Sequence, residues 1–351
     1  MEFQGSDEPE FQSTDLWTGI SVIEDPLSTF GKDYYFDSYS HFGIHEDMIK
    51  DSARTNAYKN AILRNSYLFQ DKVVLDIGCG TGILSFFAAK AGAKHVYGID
   101  CSDIINYAKE IVNQNNMTGQ ITLIKGKVKE ITLTVDKVDI IISEWMGFFL
   151  IYEGMLDSVL YARDKWLVEG GMLFPGKARI WLAAVEDGKL KERKIEFWND
   201  VYGIRMETMR KCVLIEPIVD VVDSENIISS IAPALDIDLE KVKKEDLSFV
   251  SSFKMEVSRK DLFHGFVGWF EVGFTHCHKS VTLSTSPKFK STHWKQTIFY
   301  LDPVVQVEAG QVIEGTIAVR YNPVHQRELD IKISYNIQES NTHDWQFYRL
   351  R

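Results

Sequence analysis

The stretch Val74-Leu75-Asp76-Ile77-Gly78-Cys79-Gly80-Thr81-Gly82 carries the signature of the fold. Val73 to Ile77 is a continuous apolar run broken only by Asp76, which predicts a strand buried on both faces. The glycines that follow predict a sharp turn where backbone approaches a ligand closely. Ile83 to Ala91 then has helical character and stops at Gly92, a natural C-terminal cap. Twenty residues after Gly80 stands Asp100, at the end of a second predicted strand, His95 to Asp100. A carboxylate there reaches the hydroxyls of a bound ribose. The dinucleotide pattern wants a third glycine where Ile83 stands, and no Gly-Lys-Ser/Thr is present. The loop also carries Asp76 with no Lys or Arg nearby. A triphosphate is excluded, a nicotinamide dinucleotide is disfavoured, and a zwitterionic nucleoside with an amino-acid tail, S-adenosylmethionine, fits better.

Outward from this loop, Ser102 or Asp103 is the expected cap of the helix that follows the second strand, and Ile121–Ile124 and Val138–Ile142 predict further strands. Strand and helix alternate up to Phe174, the pattern of a parallel doubly wound sheet. Upstream, Lys32 to about Ser66 reads as helical and rich in Tyr; Tyr35 with Tyr39, and Arg54 with Tyr58, are spaced to share helix faces. Beyond Pro175 the segments Ala178–Val185, Phe253–Val257, Val267–Phe274 and Leu329–Tyr335 predict an antiparallel β half, a barrel or sandwich. Asp187 to Arg210 interrupts it with a charged helical pattern in which Trp198, Tyr202, Met206 and Met209 fall on one stripe. Such a stripe packs on its own domain or docks a second copy. The expected division is a flexible N-terminal tail over 1–30, a nucleoside-binding domain over 31–175 and a β domain over 176–351 that contains the arm, 187–210.

The chain has 351 residues and a net charge of −11, which argues against direct nucleic-acid binding and favours cationic partners. It has no apolar run of the roughly 18 residues that a membrane span needs, and its N-terminus has no secretory pattern. Four cysteines make no disulfide framework, so a reducing cell interior is expected. His276-Cys277-His278 has a metal-like look, but no second ligand cluster accompanies it.

The second informative stretch is Ser143-Glu144-Trp145-Met146-Gly147-Phe148-Phe149-Leu150-Ile151-Tyr152-Glu153. It follows the fourth strand, at the end of the sheet where ligands bind. Two Glu flank an almost wholly apolar run. On a helix their spacing would set them on opposite faces; a hairpin-like loop would bring them together. Paired anions in an apolar pocket call for a cation between them, and planar guanidinium, with five donors in a fixed fork, matches two carboxylates. Such a pair draws charge toward some guanidinium nitrogens and leaves another able to attack a sulfonium methyl held in line.

From about Tyr34 to the C-terminus the chain resembles the type I protein arginine methyltransferases. The resemblance rests on Tyr35-Phe36-Asp37-Ser38-Tyr39, Gly43-Ile44-His45-Glu46-Asp47-Met48, Asp51 with Arg54-Thr55, the glycine loop, the two-Glu loop and Thr292-His293-Trp294. It implies a Rossmann-like domain followed by an antiparallel β-barrel with a helical dimerisation arm. It implies transfer of methyl groups from S-adenosylmethionine to arginine, leaving S-adenosylhomocysteine and giving monomethyl and asymmetric dimethyl arginine. By resemblance Glu144 and Glu153 hold the substrate guanidinium, and His293, paired with Asp51, helps remove the product proton. His45 and Arg54 hold the methionine end of the cofactor; Gly78, Gly80, Asp100, Cys101, Val128 and Met155 complete its site. Tyr39 and Met48 shape the methyl-transfer pocket, and Met48 and His293 fit type I. Also implied are homodimers, possible higher oligomers, Arg/Gly-rich substrates such as RNA-binding proteins and histone tails, and a cytoplasmic and nuclear location. An inactive scaffold paralogue would show erosion of the glycine loop or the Glu pair, and neither is eroded. Three positions depart from the family: Asp100 stands where Glu is usual, Lys129, with no acceptor, stands where a Glu for the adenine amine is usual, and Gly154 follows the second Glu where Ser is common.

Overall fold

The computed structural model describes residues 15–17, 38–338, 340 and 342–351. Most of the expected tail, together with Tyr35 and its predicted helix, lies outside the described residues. Three helices come first: α1 (Phe42–Lys50), α2 (Ser52–Leu63) and the single turn α3 (Ser66–Phe69). Asp51 separates α1 from α2 and caps α2, its Oδ1 accepting from the amides of Ala53 and Arg54 at 3.1 Å. Tyr39 lies in the turn before α1, not on a helix as its spacing predicted.

The alternating region follows as β1 (Val73–Ile77), α4 (Ile83–Lys90), β2 (His95–Asp100), α5 (Ile104–Gln114), β3 (Ile121–Lys125), β4 (Val138–Ser143), α6 (Leu156–Trp166) and β5 (Leu167–Phe174). All pairings are parallel, in the order β3-β2-β1-β4-β5. The chain winds one way from β1 to β3 and then crosses back to β4, so the switch point lies between the carboxyl ends of β1 and β4. Val74, Leu75 and Ile77 are buried because helices cover both faces. The expected cap of α5 differs. Asp103 occupies the capping position, but its carboxylate pairs with Lys125, and the Ser102 hydroxyl turns back to Asp100.

After β5 come β6 (Lys177–Val185), α7 (Gly188–Lys194), α8 (Glu207–Ile215), β7 (Ile218–Asp220), β8 (Ala232–Asp238), β9 (Phe249–Glu256), β10 (Asp261–Phe274), β11 (Val281–Ser284), β12 (Gln296–Val307), β13 (Val312–Tyr321), β14 (Leu329–Ile337) and β15 (His343–Leu350). They form two antiparallel sheets, β7-β12-β10-β6-β8 with β11 on β10, and β15-β14-β13-β9. The sheets close on each other around an aromatic core in which Phe266 lies edge-on to Phe253, Phe263 and Tyr335. The arm is not one helix. Asp200 accepts from the Gly203 amide, Tyr202 has φ 53°, and Val201 bridges Ile204, so a tight turn separates α7 and a 3-10 turn from α8. The four-residue stripe is therefore broken, and Tyr202 stands 99 % exposed at the turn. His276, Cys277 and His278 lie in a loop, not on a strand; no metal-binding cluster is found among the described residues. All four cysteines are free.

Candidate active site

The glycine loop leaves β1 with Gly78, Gly80 and Gly82 at positive φ. The amides of Gly78, Cys79, Gly80 and Gly82 are already used. Gly78 and Cys79 both donate to the Ile99 carbonyl at 2.8 and 3.0 Å, Gly80 donates to Asp100 Oδ2 at 2.9 Å, and Gly82 to Cys79 at 2.8 Å. A phosphate cradle needs such amides free, so the loop supports a ligand that is not a pyrophosphate. A Cβ on Gly78 would sit 2.2 Å from Met155 Cε, and one on Gly80 would sit 3.0 Å from the His45 ring. Met155, His45 and the two glycines thus line one space at the end of β1. Asp100 Oδ1 accepts from the amide and hydroxyl of Ser102 at 2.8 and 2.7 Å. With Gly80 on its other oxygen, about one acceptor site remains on this carboxylate. Cys101 is half-buried, and burial with the Asp100 charge pushes its thiol up to about 11, which disfavours the thiolate. Val128 is buried. Lys129 turns outward, its Nζ 2.8 Å from Asp157, and Glu130 pairs with Lys127 at the surface.

Beneath the loop Asp76 is fully buried. Its Oδ2 accepts from Ser85 Oγ at 2.7 Å, and its Oδ1 has no protein partner. Burial, against the Ser85 hydrogen bonds, pushes its carboxyl up to about 7.

The two Glu sit on a loop that turns back on itself, with Gly147 bridging Leu150. Gly147 is required by close approach, since a Cβ there would lie 2.2 Å from the Tyr152 carbonyl oxygen. Phe149, Leu150 and Glu153 all have positive φ, at 48°, 68° and 72°, a strain that surrounding contacts must hold. The β domain supplies them. Phe149 is buried edge-on to Phe299, with centroids 5.1 Å apart, over Gly268, where a Cβ would lie 2.4 Å from its ring. Trp294 Nε1 donates to the Met146 carbonyl at 2.8 Å, and the Tyr321 hydroxyl to that of Ile151 at 3.1 Å. Arg327 and Glu153 bond reciprocally: the Glu153 amide donates to the Arg327 carbonyl, and Arg327 Nη1 to that of Glu153, both at 2.9 Å.

The N-terminal helices hold the carboxylates. Arg54 Nε donates to Glu144 Oε2 at 2.9 Å, a pair with both side chains 8 % exposed. Arg54 Nη1 also reaches the Met48 carbonyl at 3.2 Å. One turn on, Tyr58 donates to the Ser143 carbonyl at 2.9 Å, so the shared helix face read from the Arg54–Tyr58 spacing meets consecutive residues, Ser143 and Glu144. The Tyr39 hydroxyl donates to Glu153 Oε2 at 2.9 Å, while its carbonyl meets His45 Nε2 at 2.8 Å. His293 completes the ring of contacts: its amide and Nδ1 meet Asp51 Oδ2 at 2.9 and 2.8 Å. Burial pushes Asp51 up, but the hydrogen bonds from His293 and Arg54 outweigh it and hold Asp51 below its usual range. One segment, Tyr39 to Arg54, therefore touches both Glu side chains, the glycine loop and, through Asp51, His293. Sequence reasoning missed Tyr321 and Arg327, which carry no local motif and lie some 170 residues from the loop they hold.

Residues 176–341 match the family described as the arginine methyltransferase oligomerization subdomain. Residues 61–154 match that of the ribosomal protein L11 methyltransferase. Among relatives, "Protein arginine N-methyltransferase 1" of Chlamydomonas reinhardtii is 53 % identical over 91 % of this chain and 93 % of its own. Its namesake from Schizosaccharomyces pombe is 54 % identical over 88 % and 92 %. The solved Trypanosoma brucei PRMT1 enzyme-prozyme heterotetramer with AdoHcy superimposes with a TM-score of 0.87 at 43 % identity, covering 90 % of this chain and all of that one. With such identity sustained over most of both chains and the same two-part architecture, this chain belongs to the protein arginine N-methyltransferase family.

Proposed function

We propose that this protein methylates arginine side chains of proteins, using S-adenosylmethionine, and produces monomethyl and then asymmetric dimethyl arginine. One observation carries the reading: two carboxylates, on a loop at the switch point, are each fixed by a residue of the segment that also touches the glycine loop. When bound, the cofactor supplies a methyl carbon on a sulfonium centre. The space bounded by Gly78, Gly80, His45 and Met155 suits such a nucleoside, as does a loop whose amides are committed to protein acceptors. Arg54 and His45 would hold its amino-acid end, Asp100 its ribose, and Val128 and Cys101 its base and flank.

In this reading Glu144 and Glu153 grip the substrate guanidinium, orient one terminal nitrogen and draw positive charge away from it. A nitrogen so oriented would take up the methyl group, the sulfur leaving with the electron pair of the carbon–sulfur bond, and would then release one proton. His293, held by an Asp51 that stays ionised, accepts that proton. Tyr39 and Met48 bound the pocket and exclude water. The exposed turn of the arm, with Tyr202 and Ile204, fits a homodimer contact, in line with the oligomerization subdomain matched here. The acidic surface steers Arg/Gly-rich tails to the site. Incubation with methyl-labelled S-adenosylmethionine and an Arg-Gly-rich peptide tests the assignment: label is expected on arginine. Absence of label while S-adenosylhomocysteine binds by calorimetry would leave a scaffold instead of an enzyme.

A further inference from the structure

Far from the catalytic loop in sequence, Asp15–Trp17 forms a short 3-10 turn against the outer face of the sheet β15-β14-β13-β9. The Trp17 ring lies 4.0 Å from the Arg320 guanidinium carbon and edge-on to Phe347, with centroids 6.5 Å apart. Lys332 Nζ donates to the Leu16 carbonyl at 3.0 Å while lying 4.4 Å from the Trp345 ring. The register makes this one surface: Arg320 faces Asp330 across β13–β14, and Lys332 faces Phe347 across β14–β15.

The slot is organised by the barrel itself. Asp330 is buried, and its two oxygens accept from Arg320, Arg349 and Asn322 at 2.9 to 3.3 Å. Its charge is thus committed inside the sheet, while the flat face of Arg320 and the ammonium of Lys332 point outward. The result is a cationic, aromatic patch on a chain of net charge −11. Residues 1–30 supply the opposite chemistry: seven acids (Glu2, Asp7, Glu8, Glu10, Asp15, Glu24, Asp25), no Lys, Arg or His, and one tryptophan, Trp17. A planar guanidinium over an indole face is a favourable pair, and surrounding acids add long-range attraction.

We propose that the outer face of β13–β15 is a docking surface for a tryptophan within an acidic segment, and that its occupant is this chain's own N-terminal segment. Arg320 is the penultimate residue of β13, just before the turn that carries Arg327, so the segment is fastened at the root of the hairpin that holds Glu153.

The test uses the full chain and a fluorescent peptide of residues 8–22, read by anisotropy. Trp17→Ala in the full chain empties the slot, and the peptide then binds; the wild-type chain, with its slot filled, binds it roughly tenfold more weakly or less. A peptide carrying Trp17→Ala loses binding to the emptied chain, as does Arg320→Lys in that chain, which keeps the charge and removes the flat face; circular dichroism checks its fold. Affinity falls with added salt. Equal binding to wild-type and Trp17→Ala chains, no binding to the emptied chain at about 1 mM peptide, or indifference to the tryptophan of the peptide would each overturn the proposal.

Discussion

At the scale of single residues, the two acids differ in what holds them, and that dictates how each is probed. Glu144 is half of a buried ion pair, so neutralising it strands Arg54 and costs roughly 3–5 kcal/mol of stability along with activity. Glu153 accepts from the neutral Tyr39 hydroxyl at 2.9 Å, a bond that a glutamine oxygen can also accept. Glu153→Gln keeps that bond and removes the charge. Its kcat should fall by about two orders of magnitude or more, with the dissociation constant of S-adenosylhomocysteine within about threefold of wild type by calorimetry. His293→Gln should keep the fold and cofactor binding while lowering kcat by about two orders of magnitude, measured by steady-state kinetics with calorimetry of S-adenosylhomocysteine beside it. Asp76 gives a stability prediction. Its folded carboxyl titrates near 7 against 3.8 in a model peptide, so the folded state binds the proton more tightly. Its contribution is therefore present below about pH 4, declines as pH rises to about 7, and is flat above, with an upper bound of about 4 kcal/mol. Urea midpoints of Asp76→Asn relative to wild type should accordingly rise across that window.

At the scale of elements, the loop that carries Glu144 and Glu153 belongs to the Rossmann-like sheet in sequence and to the barrel in space. Phe149 anchors in the barrel, Trp294, Tyr321 and Arg327 fasten three of its backbone carbonyls, and the strained backbone at Phe149, Leu150 and Glu153 persists because of them. Phe149→Ala should lower thermal stability and cut kcat at least about tenfold, with cofactor affinity nearly unchanged, since the glycine loop does not touch that ring. The sheet itself was legible in sequence. Val73–Ile77 is apolar because both faces are covered, and Gly78, Gly80 and Asp100 mark the switch point by chemistry that needs no long-range contact. Arg54 and Tyr58 were legible as a pair because helix periodicity fixes their common face. Arg327 and Tyr321 were not, because their role exists only once a barrel hairpin meets a distant loop. The arm was misread as one helix because periodicity does not register the turn that Asp200 and Gly203 impose.

At the scale of the whole molecule, the barrel steadies the two-Glu loop, the N-terminal segment holds both acids, and the parallel sheet presents the glycine loop beside them. An arm whose turn leaves Tyr202 almost wholly exposed should make the protein a dimer by light scattering; Tyr202→Asp should shift it toward monomer and reduce turnover. The surplus of acids should make KM for a cationic peptide rise with ionic strength while kcat stays level. The most direct test is mass spectrometry of an Arg-Gly-rich peptide after incubation with labelled S-adenosylmethionine and either wild-type or Glu153→Gln protein. The expected spectrum from wild type has one and then two methyl groups on a single terminal guanidinium nitrogen, with dimethylamine loss on fragmentation, and roughly a hundredfold less methylation or lower from the variant at equal cofactor occupancy. Equal methylation by the variant, or label on any side chain other than arginine, would contradict the assignment of the two acids to guanidinium capture.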